Sequence, residues 1–67
     1  MPLITFDTAP LSEEIKTELI IKLTNLSSEI TGIPKESFML LIRELPDQNI
    51  GVGGITVKEI KEKLGRK

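Results

Sequence analysis

Apolar residues recur every three or four positions in one stretch of the chain: Ile15, Leu19, Leu23, Leu26 and Ile30. That spacing gathers them on one face of a helix. Lys16, Lys22, Asn25 and Glu29 fall largely on the other side. Ser12 is placed to cap the helix start, with Glu13 and Glu14 in the first turn, where carboxylates suit the helix dipole. Gly32 fits the left-handed position after the last turn. Ile33 can make the hydrophobic contact that follows, and Pro34 bars continuation. Ahead of the helix, Leu3-Ile4-Thr5-Phe6-Asp7 is rich in β-branched and aromatic residues and predicts a first strand, with Ala9-Pro10-Leu11 as the connection.

Phe38-Met39-Leu40-Leu41-Ile42 predicts a second strand, apolar without alternation. Such a run implies burial on both faces. One long helix covers one face of a two-stranded sheet, and nothing else in the chain is large enough to cover the other. The remaining cover should come from another subunit. A strand, a crossover helix and a second strand make a right-handed βαβ unit with parallel strands. Glu44 to Asn49 is a turn-rich break. Ile50-Gly51-Val52-Gly53-Gly54-Ile55 alternates apolar residues with glycine and predicts a tight hairpin needing positive φ or close backbone approach. Thr56 caps a last short helix through Leu64. Lys58/Glu62 and Glu59/Lys63 stand four apart on its solvated face, and Gly65-Arg66-Lys67 is a frayed tail. The expectation is a single α+β domain over residues 1–67.

Composition sharpens the case for assembly. A chain of 67 residues is marginal alone. Disulfides, a metal or oligomerisation are the usual remedies. There is no cysteine and no histidine, which removes disulfides and the usual zinc ligand sets. Oligomerisation is left. A formal net charge of −1 argues against a nucleic-acid partner. The longest apolar run is too short to span a bilayer, and Met1-Pro2-Leu3-Ile4-Thr5 lacks the form of a signal peptide. A cytoplasmic protein with no membrane partner is expected.

Elimination also narrows the chemistry. Without His, Cys or Tyr, the usual nucleophile arrangements are absent. Gly51-Val52-Gly53-Gly54 has the wrong spacing for a phosphate loop and no following lysine. No spacing supports a metal site built from carboxylates alone. Pro2 stands apart. A Met before a small residue is commonly removed, which would turn the Pro2 nitrogen from a non-basic amide into a secondary amine. An α-amino group has a reference pKa of about 7.7–8.0. Burial among Leu3, Met39 and Ile50 would lower it, because desolvation disfavours the charged form. A base near neutrality suits proton transfer. Taken alone, Pro2 reads more readily as a tolerated second residue than as a base.

The chain is similar over nearly its whole length to the 4-oxalocrotonate tautomerase family. The shared features are Met1-Pro2 leading into a strand, a helix capped near Ser12, the Gly/Pro break at 32–34, the apolar strand at 38–42 ending in Glu44, and Gly51-Val52-Gly53-Gly54. The resemblance implies small βαβ subunits assembled most often as homohexamers. It implies an amino-terminal proline that acts as general base on a small enol or keto acid such as 2-hydroxymuconate, with no cofactor.

The departures lie in substrate recognition. The loop Thr8-Ala9-Pro10-Leu11 looks one residue shorter than in the family and holds no cation, where many members carry an arginine. Met39 occupies the position of a second family arginine, and Ile50 that of a family aromatic. Ser37 matches a family position near the substrate. Arg43 lies on the strand face of Met39 and could hold a substrate carboxylate bidentately, or form an ion pair with an acidic neighbour or another subunit. The candidate site is therefore Pro2 as base, with Arg43, Ser37, Met39 and Ile50 around the substrate. Two other readings stay open. One is a proline-dependent lyase or hydratase reaction on the same fold. The other is a non-catalytic binding scaffold.

Overall fold

The first strand, β1 (Leu3–Thr8), and the second, β2 (Met39–Glu44), pair in parallel, with Leu3 opposite Met39 and Thr8 opposite Glu44. A computed structural model describes residues 1–64. The tail at 65–67, read above as frayed, lies outside the described residues. Both strands run slightly past their predicted ends. The ladder explains this, since Leu45 N–H donates to Thr8 O at 2.8 Å and carries pairing beyond Ile42. At the other end Met39 N–H donates to Pro2 O at 3.0 Å.

The crossover helix α1 spans Glu13–Thr31, within the predicted bounds. Ser12 Oγ accepts from Ile15 N–H at 3.2 Å and meets one of the orphan donors of the first turn. Gly32 closes the helix at φ 78°, its N–H bonded to Ser28 O. A side chain there would be strained, so glycine is the fitting residue. Thr31 N-terminal to it accepts from Ile33 N–H, and Ser28 Oγ donates to Ile33 O, locking the exit of the chain.

Glu44 ties the unit together at one corner. Its Oε2 accepts from Leu11 N–H at 3.0 Å and lies 3.0 Å from Lys16 Nζ. One carboxylate oxygen thus joins the end of β2, the β1–α1 loop and the first turn of α1. These donors, the Leu11 amide first and Lys16 next, hold the Glu44 carboxyl below its ordinary pKa.

Beyond Leu45 the chain forms an arm: a 3₁₀ turn at Asp47–Asn49, a hairpin of β3 (Gly51–Val52) and β4 (Ile55–Thr56), and helix α2 (Val57–Leu64). Gly53 and Gly54 turn the hairpin with φ 63° and 85°, both positive, as the two-residue primed turn requires. Thr56 and Glu59 form a reciprocal capping box. Thr56 Oγ1 accepts from Glu59 N–H, and Glu59 Oε1 accepts from Thr56 N–H, each at 3.1 Å. Glu59 is therefore engaged at the cap, which the expected Glu59/Lys63 surface pair did not foresee. Lys61 bridges to Asp47 at 3.0 Å and Val57 N–H bonds Ile50 O, folding α2 back on the 3₁₀ turn.

No described residue is fully buried. One face of the β1–β2 sheet carries half-buried Ile4, Phe6, Leu40 and Ile42. The opposite face leaves Leu3, Thr5, Met39 and Leu41 open to solvent, Leu3 at 58% exposure. The molecule extends 45 × 24 × 16 Å with a radius of gyration of 15.8 Å. A compact chain of this length would have a radius near 11 Å, so about two thirds of that value. The open sheet face and the outstretched arm both fit the expectation that copies complete the core.

Candidate active site

Strand geometry sorts the candidate residues into two groups. Pro2, Ser37 and Met39 lie at the head of the sheet. Pro2 immediately precedes β1 and is half-buried, its carbonyl anchored by Met39 N–H. Ser37 ends a 3₁₀ turn at Lys35–Ser37, two residues before Met39, and is also half-buried. Met39 stands opposite Leu3 on the open face. Carried one step back, the same register sets Phe38 beside Pro2. Phe38 is half-buried and is an aromatic neighbour of Pro2 by register that the sequence reading did not place at the site. Equal offsets from the two strand starts, Pro2 before Leu3 and Phe38 before Met39, are the signal that would have found it.

Arg43 and Ile50 lie elsewhere. Arg43 is level with Asp7, five residues along β1 from Pro2. At strand spacing that is about 16 Å, beyond the reach of an arginine side chain. Its Nε donates to Asp7 Oδ1 at 2.7 Å and its Nη2 to Asp7 Oδ2 at 3.0 Å. This paired geometry, and the attraction of opposite charges, hold the Asp7 carboxyl below and the Arg43 guanidinium above their ordinary values. Of the two roles read for Arg43, the ion pair with an acidic neighbour is the one observed within a subunit. Ile50, half-buried, sits in the arm past the far end of β2. One subunit thus sets Pro2, Ser37 and Met39 at one end of the sheet, and leaves Arg43 and Ile50 at the other.

With Met1 in place, the Pro2 nitrogen is a tertiary amide with no basic lone pair. Met1 itself is 88% exposed. Removing it would leave a secondary amine at a half-buried position held by a strand ladder. Among the described residues, no group of three or more acidic side chains is arranged to hold a metal ion. No helix there is long and apolar enough to cross a membrane. Two shallow hollows lie on the surface of α1, one by Glu13, Glu14 and Thr17, the other by Ile20, Ile21, Thr24, Asn25 and Lys35. Neither includes Pro2.

A model of the tautomerase enzyme family matches residues 2–60. A probable tautomerase of Campylobacter jejuni is 35% identical over 68 residues, covering 98% of this chain and 100% of that protein. The 2-hydroxymuconate tautomerase of Comamonas testosteroni is 35% identical over 49 residues, covering 73% of this chain and 78% of that one. The fold is similar to that of a heterohexamer 4-oxalocrotonate tautomerase from Chloroflexus aurantiacus. The TM-score is 0.78 at 28% identity, over 91% of this chain and 98% of the other. A family match spanning residues 2–60, together with identity along nearly the whole chain and a shared fold, makes this chain a member of the 4-oxalocrotonate tautomerase family and an isomerase.

Proposed function

We propose that this chain is a cofactor-independent tautomerase of a small enol or keto acid such as 2-hydroxymuconate, with the Pro2 nitrogen as general base once Met1 is removed. The observation that carries this reading is the seat of Pro2. It is the half-buried residue at the head of the sheet, its carbonyl fixed by Met39 N–H at 3.0 Å. The proline ring fixes the direction of the nitrogen at little further entropic cost.

The reaction needs only a proton carrier. The neutral amine takes the proton from the enol oxygen, the oxygen–carbon electrons close to a carbonyl, and the conjugated double bonds shift. The prolyl ammonium then returns the proton to carbon and the amine is regenerated. A positioned base of this kind contributes roughly 10²–10⁴-fold to rate. Partial burial favours the neutral amine, because desolvation penalises its charged form. Ser37 and Met39 line the substrate side, and Ile50 reaches the pocket from the arm of a neighbouring subunit in a cytoplasmic homohexamer. Arg43 binds the substrate carboxylate only where that carboxylate displaces Asp7. Within one subunit Arg43 instead donates bidentately to Asp7.

The test follows the ultraviolet decay of 2-hydroxymuconate with protein shown by intact mass to lack Met1, against its Pro2→Ala variant. Ketonisation well above background that falls by roughly 10²-fold or more in the variant is the expected result. Equal rates with intact assembly would remove Pro2 from the mechanism and favour the scaffold reading. A different product would favour the hydratase or lyase reading. The loop at residues 8–11 holds no cation, so a monoacid enol should do nearly as well as the dicarboxylate. Clearly better turnover of the dicarboxylate would refute that.

A further inference from the structure

We propose that the hollow between α1 and the 3₁₀ turn at Lys35–Ser37 is a binding site for a small monocarboxylate with a compact apolar body, its carboxylate held by Lys35. The inference goes beyond the Pro2 chemistry and does not depend on it. The hollow measures about 260 Å³ and is lined by Ile20, Ile21, Thr24, Asn25 and Lys35. Ile20 and Ile21 are 43% and 53% exposed and lie outside the apolar stripe that predicts the inner face of α1. Two β-branched residues in succession add little to helix propensity, and half of their surface is left in water. An apolar ligand body is what would cover it.

The polar part of the lining is uncommitted. Ser28 and Thr31, on the same helix, spend their hydroxyls on the carbonyls of Ile33 and Ser27. Thr24 and Asn25 make no side-chain hydrogen bond among the described residues. Three of the four cationic side chains in the βαβ unit are ion-paired: Lys16 to Glu44, Lys22 to Glu18 and Arg43 to Asp7. Lys35 is the fourth, and it stands outside every such pair among the described residues. It is also the one charged residue of the lining. Charge complementarity therefore asks for a single negative group beside Lys35, with an apolar body on Ile20 and Ile21. Apolar walls with a few convergent polar groups are the usual form of a ligand site. The volume falls just below the range of about 300–1,000 Å³ for drug-sized ligands, so the occupant is small. A second carboxylate would lie unpaired against the isoleucines, which is costly, so a monoacid is favoured over a diacid. The occupant also bears on the head of the sheet, because Phe38 N–H donates to Lys35 O at 3.1 Å and Ser37 ends the same turn.

The test is an amide chemical-shift titration of the full chain with benzoate, with benzamide as its uncharged match and terephthalate as the matching diacid. Benzoate should give saturable shifts over residues 20–25 and 35–38, with a Kd in the millimolar range. Benzamide and terephthalate should each bind roughly tenfold or more weakly. Lys35→Gln should lower the affinity for benzoate to that for benzamide. Ile21→Glu, which sets a carboxylate in the hollow, should abolish binding, and Pro2→Ala should leave it unchanged. Circular dichroism melting checks the fold of each variant, and the wild-type comparison of acid with amide decides the matter whatever the variants do. Absence of shifts at the hollow, equal affinity for benzoate and either match, or full affinity in Lys35→Gln would each overturn the proposal. So would shifts that vanish in Pro2→Ala, since the carboxylate would then be bound at the proline.

Discussion

The βαβ unit and the arm that follows it are built on different terms. The unit is held by long-range structure: a six-rung parallel ladder from Leu3–Met39 to Thr8–Glu44, and the Glu44 corner that gathers loop, helix and strand. The hydrogen bonds and ion pair described for the arm run within itself, from Pro46 to Lys61. Its strands have two residues each, and Val52 and Leu64 stay largely exposed. The lesson is that local correctness differs from independence. The arm has its turn glycines and its capping box in order, and a two-stranded hairpin is still marginal by itself in water. Its order in solution should depend on what it docks against, whereas that of the unit depends first on its own pairing.

The sharpest way to break this contrast is to remove core volume from the unit. Leu23→Ala truncates a half-buried residue on the inner side of α1. Because Leu23 is not fully buried, the loss should sit near the low end of core truncations, about 2 kcal/mol. Amide exchange should rise across both strands and α1 together. Confinement of the change to α1 would mean that the unit is not cooperative. Next in size, Gly54→Val forces a β-branched residue into φ 85°. It should cost about 1–2 kcal/mol and raise exchange over residues 50–64, with α1 little changed. Gly53→Asn at φ 63° should be milder, since Asn tolerates that region.

Smaller effects sharpen the same comparison at the two helix starts. Ser12→Ala and Thr56→Ala each delete a cap worth about 1 kcal/mol. The first should lower the melting temperature of the whole protein, the second mainly the protection of α2. The smallest effect is the acid response. The Glu44 carboxyl is held below its ordinary pKa by Leu11 N–H and Lys16. Its stabilising contribution is therefore fully present above the unfolded value and fades as pH falls through the folded one. Glu44→Gln should flatten the acid limb of a melting-temperature profile. A variant with an unaltered limb would show that the corner contributes nothing to pH dependence.

Much of this architecture was legible because local chemistry and long-range structure agree. Ser12 and Gly32 bracket α1 where the pattern placed them, and the glycines of the hairpin both take positive φ. The unalternating strand at 38–42 implied an outside partner, and its outer residues are indeed open. What escaped is whatever depends on register. Asp7 was read as a strand residue without a role, because nothing in one sequence fixes which β1 residue faces Arg43. Glu44 was read only as the start of a turn-rich break, although its partners, Leu11 and Lys16, lie 33 and 28 positions away. The distance between Pro2 and Arg43 was hidden for the same reason. Both belong to the sheet, and only the parallel pairing sets them at opposite ends.

The 45 × 24 × 16 Å outline carries a hydrodynamic consequence. A lone subunit would drag through solvent like a short rod, tumbling more slowly about its short axes than a sphere of equal mass. On a sizing column it would elute ahead of its weight and resemble a small oligomer. Under the proposed assembly, copies that folded their arms against one another would make a rounder particle while its mass multiplied. Sedimentation and light scattering would then disagree for the lone subunit and converge for the assembly, so frictional ratio and mass together read the docking of the arms.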